Sequence, residues 1–113
     1  MTDFRLTVDS IAGVLLVTAA GTIDSRACGQ LETCLQQAVR GRRAVVVDLS
    51  EAENLPRRAI DALAAARSRL GVRLRLVVAR GEPAHAALRA AGVLHTLAVH
   101  SSGPAALAAV QRN

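Results

Sequence analysis

The stretch from Ala44 to Leu49 constrains the fold of this 113-residue chain more than any other part of the sequence. The run AVVVDL presents apolar side chains on both faces of an extended strand, since successive side chains point to opposite sides. A strand of this kind lies inside a sheet that is covered on both faces by helices. The sequence therefore predicts an α/β sandwich with Ala44–Leu49 as a central strand.

Glycine, proline and capping residues divide the rest of the chain into short elements. We predict further strands over Phe4–Val8, Val14–Ala20, Leu74–Ala79 and Leu97–His100, the first two joined in a hairpin through Gly13. We predict four helices: one capped by Asp24 or Ser25 and ended by Gly41, one over Pro56–Leu70, one from Pro83 to before Gly92, and one capped by Ser101 or Ser102. The order is β-β-α-β-α-β-α-β-α in one domain, residues 1–113. Such alternation requires mostly parallel pairing.

The composition excludes several classes of function. The core must be aliphatic, because the chain is 51% hydrophobic but only 1% aromatic. The net charge of +5 rests on arginines spread along the chain, with no aromatic cluster to stack on bases, so we expect no nucleic-acid partner. No apolar run reaches the roughly 18 to 20 residues that span a bilayer, and no secretory signal is recognisable. We therefore expect a cytoplasmic protein without membrane insertion.

The residues that most often carry catalysis or bind metals form no recognisable site. Cys28 and Cys34 lie about 9 Å apart along one predicted helix, beyond the roughly 7 Å limit for a disulfide, and are interpreted as small buried hydrophobic residues. His85, His95 and His100 fall in separate elements with no carboxylate at a telling spacing. We therefore expect no enzyme activity, no catalytic residue, no metal and no cofactor.

Two segments are expected to meet in space. In α/β folds functional groups gather at the carboxyl ends of the parallel strands, where the helices begin. Residues 21–25 follow the second strand and residues 50–58 follow the third. The order of elements therefore predicts that these two loops are neighbours.

Three stretches together resemble a STAS domain, the domain of bacterial anti-sigma factor antagonists. They are GTID at residues 21–24, VVVDLSEAENLPRRAIDAL at residues 45–63, and SSGPAAL at residues 101–107. The resemblance covers nearly the whole chain. It implies a single-domain STAS-like (SpoIIAA-like) sandwich with a mixed, mostly parallel sheet of about five strands and four helices.

The central motif of the family is only partly present. Members typically read Asp-Leu-Ser, two or three variable positions, two apolar residues, and then Asp-Ser-Ser-Gly-Leu. Asp48, Leu49 and Ser50 match the beginning, and Ile60 falls on the final leucine. The departures are Asn54 and Leu55 at the apolar pair, Pro56 at the aspartate, Arg57 at the phosphorylated hydroxyl residue, Arg58 at the next serine and Ala59 at the glycine.

The resemblance implies a non-catalytic protein–protein interaction module in partner-switching control of transcription. Its implied partner is an anti-sigma factor that is also a serine kinase of the histidine-kinase ATPase fold. In typical members phosphorylation adds about −1.5 to −2 charges at the interface and ends binding. Arg57 can accept no phosphate, so we predict a member that is not phosphorylatable at the usual site. The predicted partner-binding residues are Asp24, Ser25, Asn54, Pro56, Arg57, Arg58 and Asp61.

Several alternatives remain open at this point. Arg57 and Arg58 could form a surface that recognises an acidic patch on a partner. They could instead form a solvated helix start in which both pair with Asp61. Asp24 could simply cap its helix, and Ser50 could serve as a surrogate phosphoacceptor or tie down a turn. The whole module could instead be a scaffold or accessory subunit of a lipid-transport ABC system. A nucleotide-sensing domain is a third alternative, and a homodimer is kept open without an assigned surface.

The second helix is predicted to have one buried and one exposed face. On a helical wheel its inward residues are Ala59, Ile60, Leu63, Ala66 and Leu70, and its outward residues are Arg57, Arg58, Asp61, Ser68 and Arg69. The basic residues are thus placed on the solvent side of a packed helix.

Overall fold

Five strands and four helices alternate in the order predicted from the sequence, in a computed structural model that describes residues 3–111. The strands are β1 (Arg5–Ile11), β2 (Val14–Ala20), β3 (Val45–Asp48), β4 (Leu74–Val77) and β5 (Val99–His100). The helices are α1 (Ser25–Gly41), α2 (Arg57–Leu70), α3 (Pro83–Ala90) and α4 (Gly103–Gln111). The predicted fold class, a single α/β sandwich around a mixed, mostly parallel sheet, is confirmed.

The strands lie in the sheet in the same order as in the chain, β1-β2-β3-β4-β5. β1 and β2 pair antiparallel through a two-residue turn, Ala12–Gly13, whose φ angles of 51° and 81° are those of a type I′ turn. β2, β3, β4 and β5 pair parallel, joined by helical crossovers. The carboxyl ends of β2 and β3 therefore lie side by side at one edge of the sandwich.

The sheet is covered unequally on its two faces. Val45 and Val47 belong to the core shared with α1, α2 and α3, whereas Val46 packs with α4 on the other face. All three valines are 0% exposed, which confirms β3 as a central strand. α4 contacts β3, β4 and β5 and also packs against Val14 at the start of β2.

Several element boundaries differ from the predicted ones. β1 reaches Ile11 instead of ending at Val8, because the hairpin turn pairs every residue of β1 with β2 despite the polar side chains near its end. β5 shortens to Val99–His100, since Ala98 has a φ of 51° and interrupts the strand after the buried Leu97. A 3₁₀ turn over Gly71–Arg73 leads from α2 into β4. The sequence also predicts that the last helix extends to Arg112, a residue that lies outside the described range.

Candidate functional site

The loops after β2 and β3 are bound to each other, as predicted. The Gly21 N–H donates to the Glu51 carbonyl at 3.0 Å, and the Glu53 N–H donates to the Gly21 carbonyl at 2.9 Å. These bonds form a parallel bridge between Gly21 and Ala52. The sheet pairing of β2 with β3 is thus continued into the loops, which fixes the two helix starts that follow.

Asn54 completes this connection with its side chain. Its Oδ1 accepts a hydrogen bond from the Ile23 N–H at 2.7 Å, and its Nδ2 donates to the Ile23 carbonyl at 2.9 Å. Both bonds are partly buried, and neighbouring Leu55 is buried. Asn54, predicted to bind a partner, therefore uses its amide within the domain to hold one loop to the other.

The predicted turn at the end of β3 is present. Asp48 Oδ1 accepts hydrogen bonds from the Ser50 N–H at 2.9 Å and from the Ser50 Oγ at 2.6 Å. A carboxylate that binds a residue two positions ahead stabilises a turn, in the way asparagine and aspartate commonly do. The Ser50 hydroxyl thus donates its hydrogen bond to the Asp48 carboxylate beside it.

Asp24 caps α1, as the sequence indicated. Its Oδ1 accepts from the Ala27 N–H at 2.8 Å, which satisfies one of the amides that a helix start leaves without a backbone partner. Pro56 occupies the equivalent position before α2 and offers no side-chain cap. The two helix starts are therefore chemically different, one acidic and one preceding two arginines.

Arg57 and Arg58 point in different directions, so the alternative in which both pair with Asp61 holds for Arg57 only. Arg57 pairs with Asp61 one turn along, Nε to Oδ1 at 3.1 Å, with side chains 77% and 64% exposed. Arg58 does not share Asp61, because its guanidinium binds Glu32 of α1 through two bonds of 2.8 Å. The reason is geometric: successive helical residues lie about 100° apart, so Arg58 faces α1 while Arg57 faces solvent.

Arg58 also joins α2 to the start of α1. Its Nη1 donates to the Ser25 Oγ at 3.2 Å and to the Ser25 carbonyl at 3.3 Å. Glu32 has no arginine three or four positions away on its own helix, and this isolation is the one sequence signal that could have suggested a partner elsewhere. Asp24, Ser25, Arg57, Arg58 and Asp61 are hereafter called the helix-tip surface.

The ion pair shifts the titration of both its members. The hydrogen bonds from Arg58 hold the pKa of the Glu32 carboxyl below its ordinary value. The same bonds raise the pKa of Arg58 above the ordinary value of arginine. Both groups therefore remain charged at neutral pH. The positive charge of Arg58 is balanced by Glu32, whereas Arg57 is paired only with an exposed carboxylate.

A groove of about 540 Å³ runs between α1 and α2 beside this ion pair. Its apolar lining comes from Leu35, Val39, Ala62, Ala65 and Ala66, and its polar lining from Glu32, Gln36, Arg40, Arg58, Asp61 and Arg69. The sequence did not predict this groove, because it arises from the packing distance of two helices. It extends the helix-tip surface along α2 toward Arg69.

The inward and outward faces of α2 are as the helical wheel predicted. The five residues expected to face inward are all buried, and Arg57, Arg58, Asp61, Ser68 and Arg69 are exposed. The outward arginines are therefore available to a partner without disturbing the core.

The cysteines are free thiols, as predicted. Cys28 is buried and Cys34 is half-buried, and burial raises the pKa of both thiols. Within residues 3–111, no group of three His, Cys, Asp or Glu side chains is placed to hold a metal ion. In the same part of the chain, no helix has the length and apolar character needed to cross a bilayer.

The mixed sheet, its helical crossovers and the joined loops after β2 and β3 define a class of small α/β domains. The STAS domain model matches residues 5–106, and the chain belongs to the STAS domain family. No curated protein matches the sequence significantly.

Solved structures agree with this assignment. An anti-sigma factor antagonist from Mycobacterium paratuberculosis is 26% identical to this chain. The match covers 96% of this chain and 95% of that one, with a TM-score of 0.85. The anti-sigma factor antagonist SpoIIAA in its unphosphorylated form is 12% identical, with coverages of 98% and 99% and a TM-score of 0.68. The phosphorylated form of Bacillus SpoIIAA is 14% identical, with coverages of 96% and 99% and a TM-score of 0.67. The fold and a regulatory role based on protein interaction follow from family and structure together.

Proposed function

We propose that this protein is a non-catalytic anti-sigma factor antagonist that binds an anti-sigma factor kinase in the bacterial cytoplasm and cannot be switched off by phosphorylation at the usual position. The observation that carries the proposal is the exposed Arg57 at the start of α2, held by Asp61 where the family motif has a hydroxyl. The predicted contact surface is the helix-tip surface together with Pro56.

The nearby hydroxyl groups support the absence of a phosphate switch. Ser50 Oγ is bonded to the Asp48 carboxylate, so a phosphate there would face a negative charge at close range. Ser25 Oγ accepts from Arg58 beside the carboxylate of Glu32. Neither hydroxyl occupies the position of Arg57, and both are engaged within the domain.

The charge of the site supports a partner with an acidic contact. Arg57 has the more exposed side chain of the two arginines, and Asp61 engages it through one hydrogen bond only. Arginine binds carboxylates through two parallel bonds, which a partner's Asp or Glu could supply while Asp61 remains solvated. A hydroxyl-bearing relative would lack this contact, so the arginine provides a reason for a different partner preference.

The direct test combines binding with phosphate transfer. The protein is mixed with each kinase-type anti-sigma factor encoded in the same genome, and binding is measured by calorimetry. Phosphate transfer to the protein is measured with radiolabelled ATP. We expect one complex and no label. Label on the unmodified chain would refute the proposal, as would the absence of any complex. Co-purification with an ABC-type ATPase instead would identify the scaffold alternative.

Two variants separate the surface from the switch. The double variant Pro56→Asp with Arg57→Ser restores the family residues, and we expect it to become labelled by the bound kinase. Arg57→Glu reverses the exposed charge, and we expect it to weaken the complex by about tenfold or more. Arg89→Glu makes the same change of net charge at an exposed position on α3 and serves as the matched control.

A further inference from the structure

The outer edge of the sheet at β1 is long and has no strand paired with it among the described residues. All seven residues of β1 pair with β2 without a bulge, and β1 contains no proline. Six of the seven are exposed, including Val8 at 48% and Ile11 at 42%. Edge strands are usually protected from pairing with another chain by a bulge, a proline, a covering element or charged side chains, and β1 has only the last of these, Arg5 and Asp9. Among residues 3–111, nothing is paired with the outer side of β1.

The hairpin determines which backbone groups face outward. In a two-residue turn the closing pair, here Ile11 and Val14, exchanges both backbone hydrogen bonds, and the bonded pairs then recur at every second residue. Arg5, Thr7 and Asp9 therefore bond to β2. The N–H and C=O groups of Leu6, Val8 and Ser10 point to the open edge and are available to a further strand.

The charges on β1 are complementary to themselves. Arg5 and Asp9 are four residues apart on one face, so about 13 Å separates them along the strand, and neither has an ion-pair partner within the described part of the chain. If a second copy of β1 pairs antiparallel about Thr7, each Arg5 lies opposite an Asp9. The same register places Leu6 opposite Val8 and Thr7 opposite Thr7.

Other antiparallel registers lose this match. Centring the pair on Arg5 or on Asp9 places like charges opposite each other, which is destabilising. Centring it on Val8 places Arg5 opposite Ile11. The register about Thr7 also satisfies the outward backbone groups, because Leu6 and Val8 then form doubly hydrogen-bonded pairs.

We infer that the protein forms a homodimer through β1, in which two sheets join into one continuous ten-stranded sheet with Arg5–Asp9 pairs on either side of a two-fold axis at Thr7. The occupant of this edge is a second copy because the edge carries its own complementary charges in the correct order. The contact is narrow, so we expect a weak dimer in exchange with the monomer.

Analytical ultracentrifugation from about 1 µM to about 1 mM protein measures the association directly. Asp9→Arg gives a chain with two positive charges on this face, and Arg5→Asp gives one with two negative charges. We expect each variant alone to dimerise about tenfold to a hundredfold more weakly, since two attractive pairs become repulsive. A mixture of the two variants restores both ion pairs, and we expect it to form a heterodimer.

A second variant tests the backbone contribution. Val8→Pro removes an outward N–H that β2 does not use, so the hairpin keeps its internal bonds while the dimer loses two donors. Circular dichroism confirms the fold of each variant. A monomer at about 1 mM, an Asp9→Arg variant that dimerises like the wild type, or a mixture that stays monomeric would each overturn the inference.

Discussion

Removing the side chain of Asn54 should loosen the connection between the two loops that position α1 and α2. The change Asn54→Ala deletes both hydrogen bonds to Ile23, of 2.7 and 2.9 Å, and leaves a backbone donor and an acceptor without their partner. A partly buried, unsatisfied group costs about 1 to 3 kcal/mol. Since water reaches part of this site, we expect a combined loss of about 2 to 3 kcal/mol in the free energy of unfolding.

The measurement is urea denaturation followed by far-UV circular dichroism, because the chain has no tryptophan or tyrosine to report by fluorescence. For a domain of this size the expected loss corresponds to a fall of about 8 to 12 °C in the melting temperature. Hydrogen exchange at the Gly21 and Glu53 amides, which bridge the same loops, should accelerate in the variant.

Thr22→Val provides the matched control. Thr22 Oγ1 donates to Glu53 Oε2 at 3.3 Å across the same two loops, but this bond is exposed. We expect its loss to change the free energy of unfolding by at most about 0.5 kcal/mol. If Asn54→Ala proves as mild as Thr22→Val, the role assigned to Asn54 is incorrect.

Three further predictions concern the loops, the ion pair and the core. Gly21→Ala should destabilise the fold by about 2 kcal/mol or more in thermal denaturation, since the φ of Gly21 is +92° and the new Cβ would clash with a backbone carbonyl. Gly13→Ala is the control: its φ is +81°, but no atom lies within 4 Å of the new Cβ, so it should cost only about 1 kcal/mol. Arg58→Ala should raise the pKa of Glu32 toward its ordinary value in an NMR titration. Because the pKa of Glu32 is lower in the folded protein than in the unfolded chain, its carboxylate stabilises the fold above the unfolded pKa. This stability is lost as the pH falls through the folded pKa, and the loss should be smaller in the variant. Cys28 should react with a thiol reagent far more slowly at pH 8 in the native protein than in urea, since burial raises its pKa.

Much of the architecture could be predicted from short-range patterns. The apolar run around Val46 placed a central strand, and the Asp24 cap and the Asp48–Ser50 turn depend on residues two or three positions apart. Such features are local, so their chemistry can be read along the chain. The proximity of the two loops followed from the order of elements alone.

The missed features depend on distances between elements. Arg58 and Glu32 are 26 positions apart, and their pairing requires the relative rotation of α1 and α2, which no local pattern supplies. Asn54 falls on an apolar position of the family motif, which gave no sign of its role. Its side chain joins the two loops through Ile23, a residue 31 positions away in the chain. The groove between the helices likewise exists only after packing.

The sequential arrangement of the strands has a consequence for biosynthesis. Each strand pairs with the one made just before it, so a nascent chain leaving the ribosome can enlarge an existing sheet without waiting for a distant segment. α4 is the exception, because it closes over Val14, Val46 and Val77 and is translated after the strands that carry them. A ribosome-bound intermediate therefore exposes that valine surface until α4 emerges, and this is the stage at which a chaperone would be needed.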